Sequence, residues 1–84
     1  MSSIEKLGST QYALTGALVR IDAIGSASTK ADVIFRFGAA TGYISAAAEL
    51  KVLNETSWAE LLDLADKLYN KHLLAMGTSG DFAV

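Results

Sequence analysis

The chain has 84 residues, a formal net charge of −2, one histidine and no cysteine. That composition excludes disulfides, thiolate metal sites and histidine-rich metal sites. The weak negative charge also argues against a surface that binds polyanions. A chain of this length forms one domain that buries only about 60% of its unfolded surface, and such domains often gain stability by oligomerisation.

The hydropathy of the chain predicts a protein without a membrane segment. No stretch approaches the roughly 18 uninterrupted apolar residues that a transmembrane helix needs, and the N-terminus has no signal-peptide pattern. Together with the absence of cysteine, this favours a cytoplasmic location. Apolar residues nevertheless make up 51% of the chain. This high value suggests that something outside the chain covers part of the apolar surface.

The first half of the sequence has the alternation expected of β-strands. We interpret residues 1–10 as a short helical turn or a disordered segment, 11–24 as a first strand and 29–37 as a second. The Gly25–Ser28 loop connects the two strands. An antiparallel register with Asp22 opposite Lys30 also pairs Arg20 with Asp32, so the cross-strand charges favour it.

Residues 43–53 fit two structures. Alternating residues from Tyr43 to Leu53 favour a third strand, reached through a hairpin loop at residues 38–42. The alanines and Glu49 favour a helix by intrinsic propensity. We expect the strand and keep the helix as the alternative.

Residues 57–76 form the clearest element, an amphipathic helix. Ser57 and Glu60 have the spacing of a capping box, and Gly77 stands where a C-cap is expected. The pair Asp63 and Lys67 has the i, i+4 spacing of a stabilising ion pair. One broad apolar face carries Trp58, Leu61, Leu62, Ala65, Leu68, Tyr69, His72 and Met76.

The sequence therefore predicts an α+β fold, a three-stranded antiparallel meander with one C-terminal helix on one face. Residues 11–76 form the domain, and residues 77–84 form a flexible tail that ends in Phe82, Ala83 and Val84. In outline this order of elements resembles the double-stranded-RNA-binding domain. That family enters its last helix with basic residues, whereas this chain has the acidic segment NETSWAELLD at residues 54–63, so nucleic-acid binding is not expected.

No arrangement of residues predicts catalysis, a bound cofactor or a metal ion. The serines have no supporting histidine, and the acidic residues lack the spacing of a cation-binding loop. His72 lies on the apolar face of the helix, which favours a hydrogen-bonded core or boundary histidine over a general base. We therefore expect a protein that is not an enzyme.

The remaining surface predicts a protein-binding role. The sheet face opposite the helix would display aromatic and aliphatic residues rimmed by charge, and Leu74 interrupts the polar face of the helix. We expect a homodimer or another protein partner there. The alternative is a monomeric regulatory or inhibitory protein that binds another macromolecule. The predicted interface residues are Tyr12, Leu14, Leu18, Arg20, Ile34, Arg36, Tyr43 and Leu74.

Overall fold

The protein is a bundle of three α-helices. The structure, a computed structural model, describes the backbone of residues 2–77 and the side chains of residues 9–77. The helices are α1 (Ser2–Ile24), α2 (Lys30–Glu49) and α3 (Glu55–Gly77), and each of them packs against the other two. Within residues 2–77 there is no strand.

The prediction of an α+β meander is therefore wrong. Predicted strands 11–24 and 29–37 are parts of α1 and α2, and the predicted hairpin loop at residues 38–42 lies inside α2. Residues 43–49 are helical, as in the alternative kept for this segment. The Asp22–Lys30 strand register and the outline resemblance to the RNA-binding domain disappear with the sheet. The loop at Gly25–Ser28 is confirmed, since no helix includes these residues.

In α1 the strand prediction failed because three of the four buried residues also fit the strand period, whereas Ile24 fits only the helix. In α1 the core positions are Ala13, Ala17, Ile21 and Ile24. The spacing i, i+4, i+8 keeps residues on one face of a helix, and it also keeps them on one face of a strand. In addition, the chain has no proline to interrupt a helix. The alanines of α1 and α2 then favour the helix.

Because residues 30–37 are helical and not a strand, the rings of Phe35 and Phe37 point in different directions. A strand would put both rings on one face, and the predicted sheet placed both beneath the helix. In α2 they are separated by about 200°. Phe37 stacks on Tyr69 of α3 with ring centroids 4.1 Å apart, whereas Phe35 is 72% exposed.

The third helix confirms the predicted amphipathic pattern. Leu61 and Ala65 are buried, and the other residues of the predicted apolar face are half-buried. Lys67 and Asp63 form the expected ion pair at 3.0 Å. The helix begins two residues earlier than predicted, because Asn54 caps it: the Ser57 backbone N–H donates to Asn54 Oδ1 at 2.8 Å.

Two hydrogen bonds connect the ends of the helices and show the direction in which each helix runs. Thr10 of α1 donates its hydroxyl to the Val52 carbonyl at 3.0 Å, next to the start of α3. Arg36 of α2 donates to the Ala23 carbonyl at 2.9 Å near the end of α1. Helices that are consecutive in the chain therefore run antiparallel, and α1 and α3 run parallel. Residues 2–10, predicted as a separate turn or disordered segment, form the start of α1.

The core lies where the three helices meet and is built largely from small side chains. Its fully buried larger members are Ile24, Val33 and Ile44. Alanines fill the remaining contacts and let the helix axes approach closely. The buried set is Ala13, Ala17, Ile21, Ile24, Ala27, Val33, Ala40, Ile44, Ala47, Leu53, Leu61 and Ala65.

Candidate protein-binding surface

The side of α2 that faces away from the core is mostly apolar, and the exposed Glu49 is the one charged residue of α2 within about 40° of Phe35. Ala39, Gly42 and Ala46 all lie within about 40° of Phe35 around the helix axis, whereas the buried Ile44 lies about 180° away. All four of these outward residues are exposed. Ala31 and Leu50 extend the same stripe at its two ends, and Leu50 is 74% exposed.

Two residues of α1 continue this surface. Tyr12 is 78% exposed and Val19 is 61% exposed. Each of these two residues is one helical turn along α1 from a residue that contacts α2, and both lie on the side of α1 that faces away from the core. We call the combined surface the outer face, and it consists of Tyr12, Val19, Ala31, Phe35, Ala39, Gly42, Ala46 and Leu50.

An open cleft of about 730 Å³ lies at one end of the outer face. The exposed side chains of Tyr12 and Leu50 line this cleft, together with Ala46 and Ala47 of α2. The cleft exists because these alanines are small, so the space between α1 and the end of α2 is left unfilled. Its apolar lining suits a bulky apolar side chain. The full lining is Ser9, Tyr12, Ala13, Tyr43, Ala46, Ala47, Leu50 and Val52.

Tyr43 fixes the seam between α1 and α2 beneath the outer face. Its ring lies over Gly16, where an added Cβ would overlap the hydroxyl and lie only 2.6 Å from Cζ. The Arg20 guanidinium covers the ring at 4.0 Å from its centroid and donates to the Gly16 carbonyl at 3.0 Å. Glycine at position 16 therefore has a clear reason, the close approach of an aromatic ring.

Gly38 and Gly42 have no such reason among the residues that the structure describes. A Cβ at either position would meet nothing within 4 Å. Each glycine in a helix interior costs about 1 kcal/mol relative to alanine. Contacts among the described residues do not offset that cost.

Some of the predicted interface residues do come together, although the sheet that was expected to hold them does not exist. Tyr12, Arg20 and Tyr43 meet at the seam between α1 and α2, as described above. Arg36 lies further along the same seam, where it also pairs with Asp32 at 3.0 Å. Ile34 is 55% exposed and lies about 100° around α2 from Phe35, outside the outer face.

The other predicted interface residues lie elsewhere. Leu14 is half-buried against the core, and Leu18 lines a smaller cleft with Leu64 and Leu68 of α3. Leu74 is 63% exposed on α3.

The sequence interpretation missed Val19, Phe35 and Leu50. The signal for Phe35 was its spacing of four and seven residues from Ala39 and Gly42, which is the helical pattern of one face.

His72 has the structural role expected of it. Its Nε2 lies 2.8 Å from the Ala27 carbonyl oxygen in the loop between α1 and α2. Because a carbonyl oxygen only accepts, Nε2 carries the proton in this contact. The ring thus anchors the loop to α3.

Neither a metal site nor a membrane span is evident in the part of the chain described. Among those residues, His, Asp and Glu do not gather into a group of three or more that would hold a metal ion. No helix there combines the length and the apolar character needed to cross a bilayer. Comparisons of the chain with protein-family models, curated proteins and solved structures found no match.

Proposed function

We propose that this chain is a small, non-enzymatic protein–protein interaction or self-assembly module that acts through the outer face. The observation that carries the proposal is the gathering of exposed side chains on one surface. Tyr12, Val19, Phe35 and Leu50 are each more than 60% exposed. Tyr12 and Leu50 share one cleft, and Phe35 lies on the same side of α2 as Leu50, about 22 Å along the helix, with small residues between them. A contiguous apolar surface with aromatic residues is typical of protein-binding sites.

The polar surroundings of the outer face are consistent with a protein partner. Arg20 and Arg36 flank the seam, and both already interact with groups of the chain itself. A phosphate backbone requires a row of available positive charges, so nucleic acid is the less favoured partner. The absence of cysteine leaves a cytoplasmic location as part of the proposal.

A second candidate is a monomeric regulatory or inhibitory protein that binds another macromolecule. The cleft beside Tyr12 favours this possibility, because its shape accepts a single large side chain from a partner. Both candidates use the same surface, and they differ in whether the chain binds itself.

Two matched variants test the proposal. Phe35→Asp replaces the large exposed aromatic side chain of α2 on the outer face with a charge, and Leu74→Asp places a charge on α3 at a similarly exposed position. Sedimentation measures self-association, and immobilised protein measures the capture of partners from a cell extract. We expect Phe35→Asp to abolish the association that wild type shows and Leu74→Asp to preserve it.

Two results would count against the assignment. One is a wild-type chain that neither self-associates nor retains any partner. The other is association that survives Phe35→Asp but is lost in Leu74→Asp. As a control, circular dichroism compares the helical content of both variants with that of wild type, which we expect them to keep.

A further inference from the structure

We draw no further inference here: the strongest candidate, the apolar cleft that Tyr12 and Leu50 line between α1 and the end of α2, belongs to the outer face already described, and nothing among the described residues shows what occupies it.

Discussion

The two apolar sides of α2 have similar compositions, but one side is buried in the bundle and the other is exposed. The inner side carries Val33, Ala40, Ile44 and Ala47, all buried. The outer side carries Phe35, Ala39, Gly42 and Ala46, all exposed. Alanine is abundant on both sides, so apolar character alone does not decide which side of this helix is covered within the chain.

The difference between the two sides lies in their neighbours. On the inner side, α1 and α3 supply Ile21, Ile24 and Leu61 as facing surfaces. On the outer side, the described part of the chain supplies only the edge residues Tyr12 and Val19. The outer side of α2 is therefore not part of the core that the described residues form, and substitutions in matched pairs test this difference.

The largest expected effect comes from truncating the buried isoleucine of α2, with the exposed isoleucine of the same helix as its control. Ile44→Ala removes a fully buried side chain and should lower the free energy of unfolding by about 2–5 kcal/mol. Ile34→Ala, at a position 55% exposed, should change it by less than about 0.5 kcal/mol. Urea denaturation followed by Trp58 fluorescence measures both. Similar losses of stability in the two variants would mean that Ile44 is not more tightly packed than Ile34.

The next effect concerns the arginines at the seam between the inner and outer sides. Arg36 is hydrogen-bonded to the Ala23 carbonyl near the end of α1 and paired with Asp32. We expect Arg36→Leu to lower the free energy of unfolding by about 1–2 kcal/mol, the usual value of a charged hydrogen bond reduced for partial exposure.

Arg20→Leu provides the matched control. Arg20 is exposed and stacks on Tyr43, so its loss should cost at most about 1 kcal/mol. Thermal unfolding of the two variants measures the difference, and equal costs would show that Arg36 does not secure the end of α1.

Glycine-to-alanine substitutions should change stability with opposite signs at the exposed Gly42 of α2 and at Gly16 of α1, which packs under Tyr43. Gly42→Ala adds helix propensity in open space, so in dilute solution it should stabilise the monomer by about 1 kcal/mol. Gly16→Ala gains the same propensity but forces the Tyr43 ring to move, which typically costs about 1–3 kcal/mol.

A double-mutant cycle isolates this contact. When Tyr43→Ala is already present, Gly16→Ala should become stabilising, with a coupling of about 1–3 kcal/mol between the two positions. A coupling near zero would contradict the close approach of Tyr43 to Gly16.

The smallest expected effect is at Lys51, where α2 ends. The backbone of Lys51 has a φ of 64°, a left-handed conformation that favours glycine. The Val52 N–H bonds to the Ala47 carbonyl at 2.9 Å and the Lys51 N–H to the Ala48 carbonyl at 3.0 Å, which together form a Schellman motif.

Lys51→Gly should therefore stabilise the chain by up to about 1 kcal/mol, raising the melting temperature by about 4–8 °C per kcal/mol. Lys51→Ala retains the unfavourable conformation and should leave the melting temperature nearly unchanged. A lower melting temperature in Lys51→Gly would show that the α2 end has another conformation.

The sequence by itself determined the third helix. Residues Ser57 to Met76 repeat apolar side chains at the helical period, and no strand pattern competes with it. The Asp63–Lys67 pair, the exposure of Leu74 and the hydrogen-bonded role of His72 followed from the same pattern and were confirmed. The loop at Gly25–Ser28 was also predictable from the sequence, since its glycine and serines mark a break between elements.

The sequence interpretation found neither of the other two helices nor the candidate surface. Buried Ala13, Ala17 and Ile21 of α1 suit a strand as well as a helix. The buried residues of α2 recur at seven, four and three residues, which is a helical spacing, but the alternation of apolar residues at 29–37 and 43–53 was given more weight. Which side of α2 is buried depends on where α1 and α3 lie, and that information is in the packing of distant segments. Phe35 illustrates the physical reason: its exposure follows from the 100° turn per residue that separates it from Phe37, and from the absence of a facing helix among the described residues.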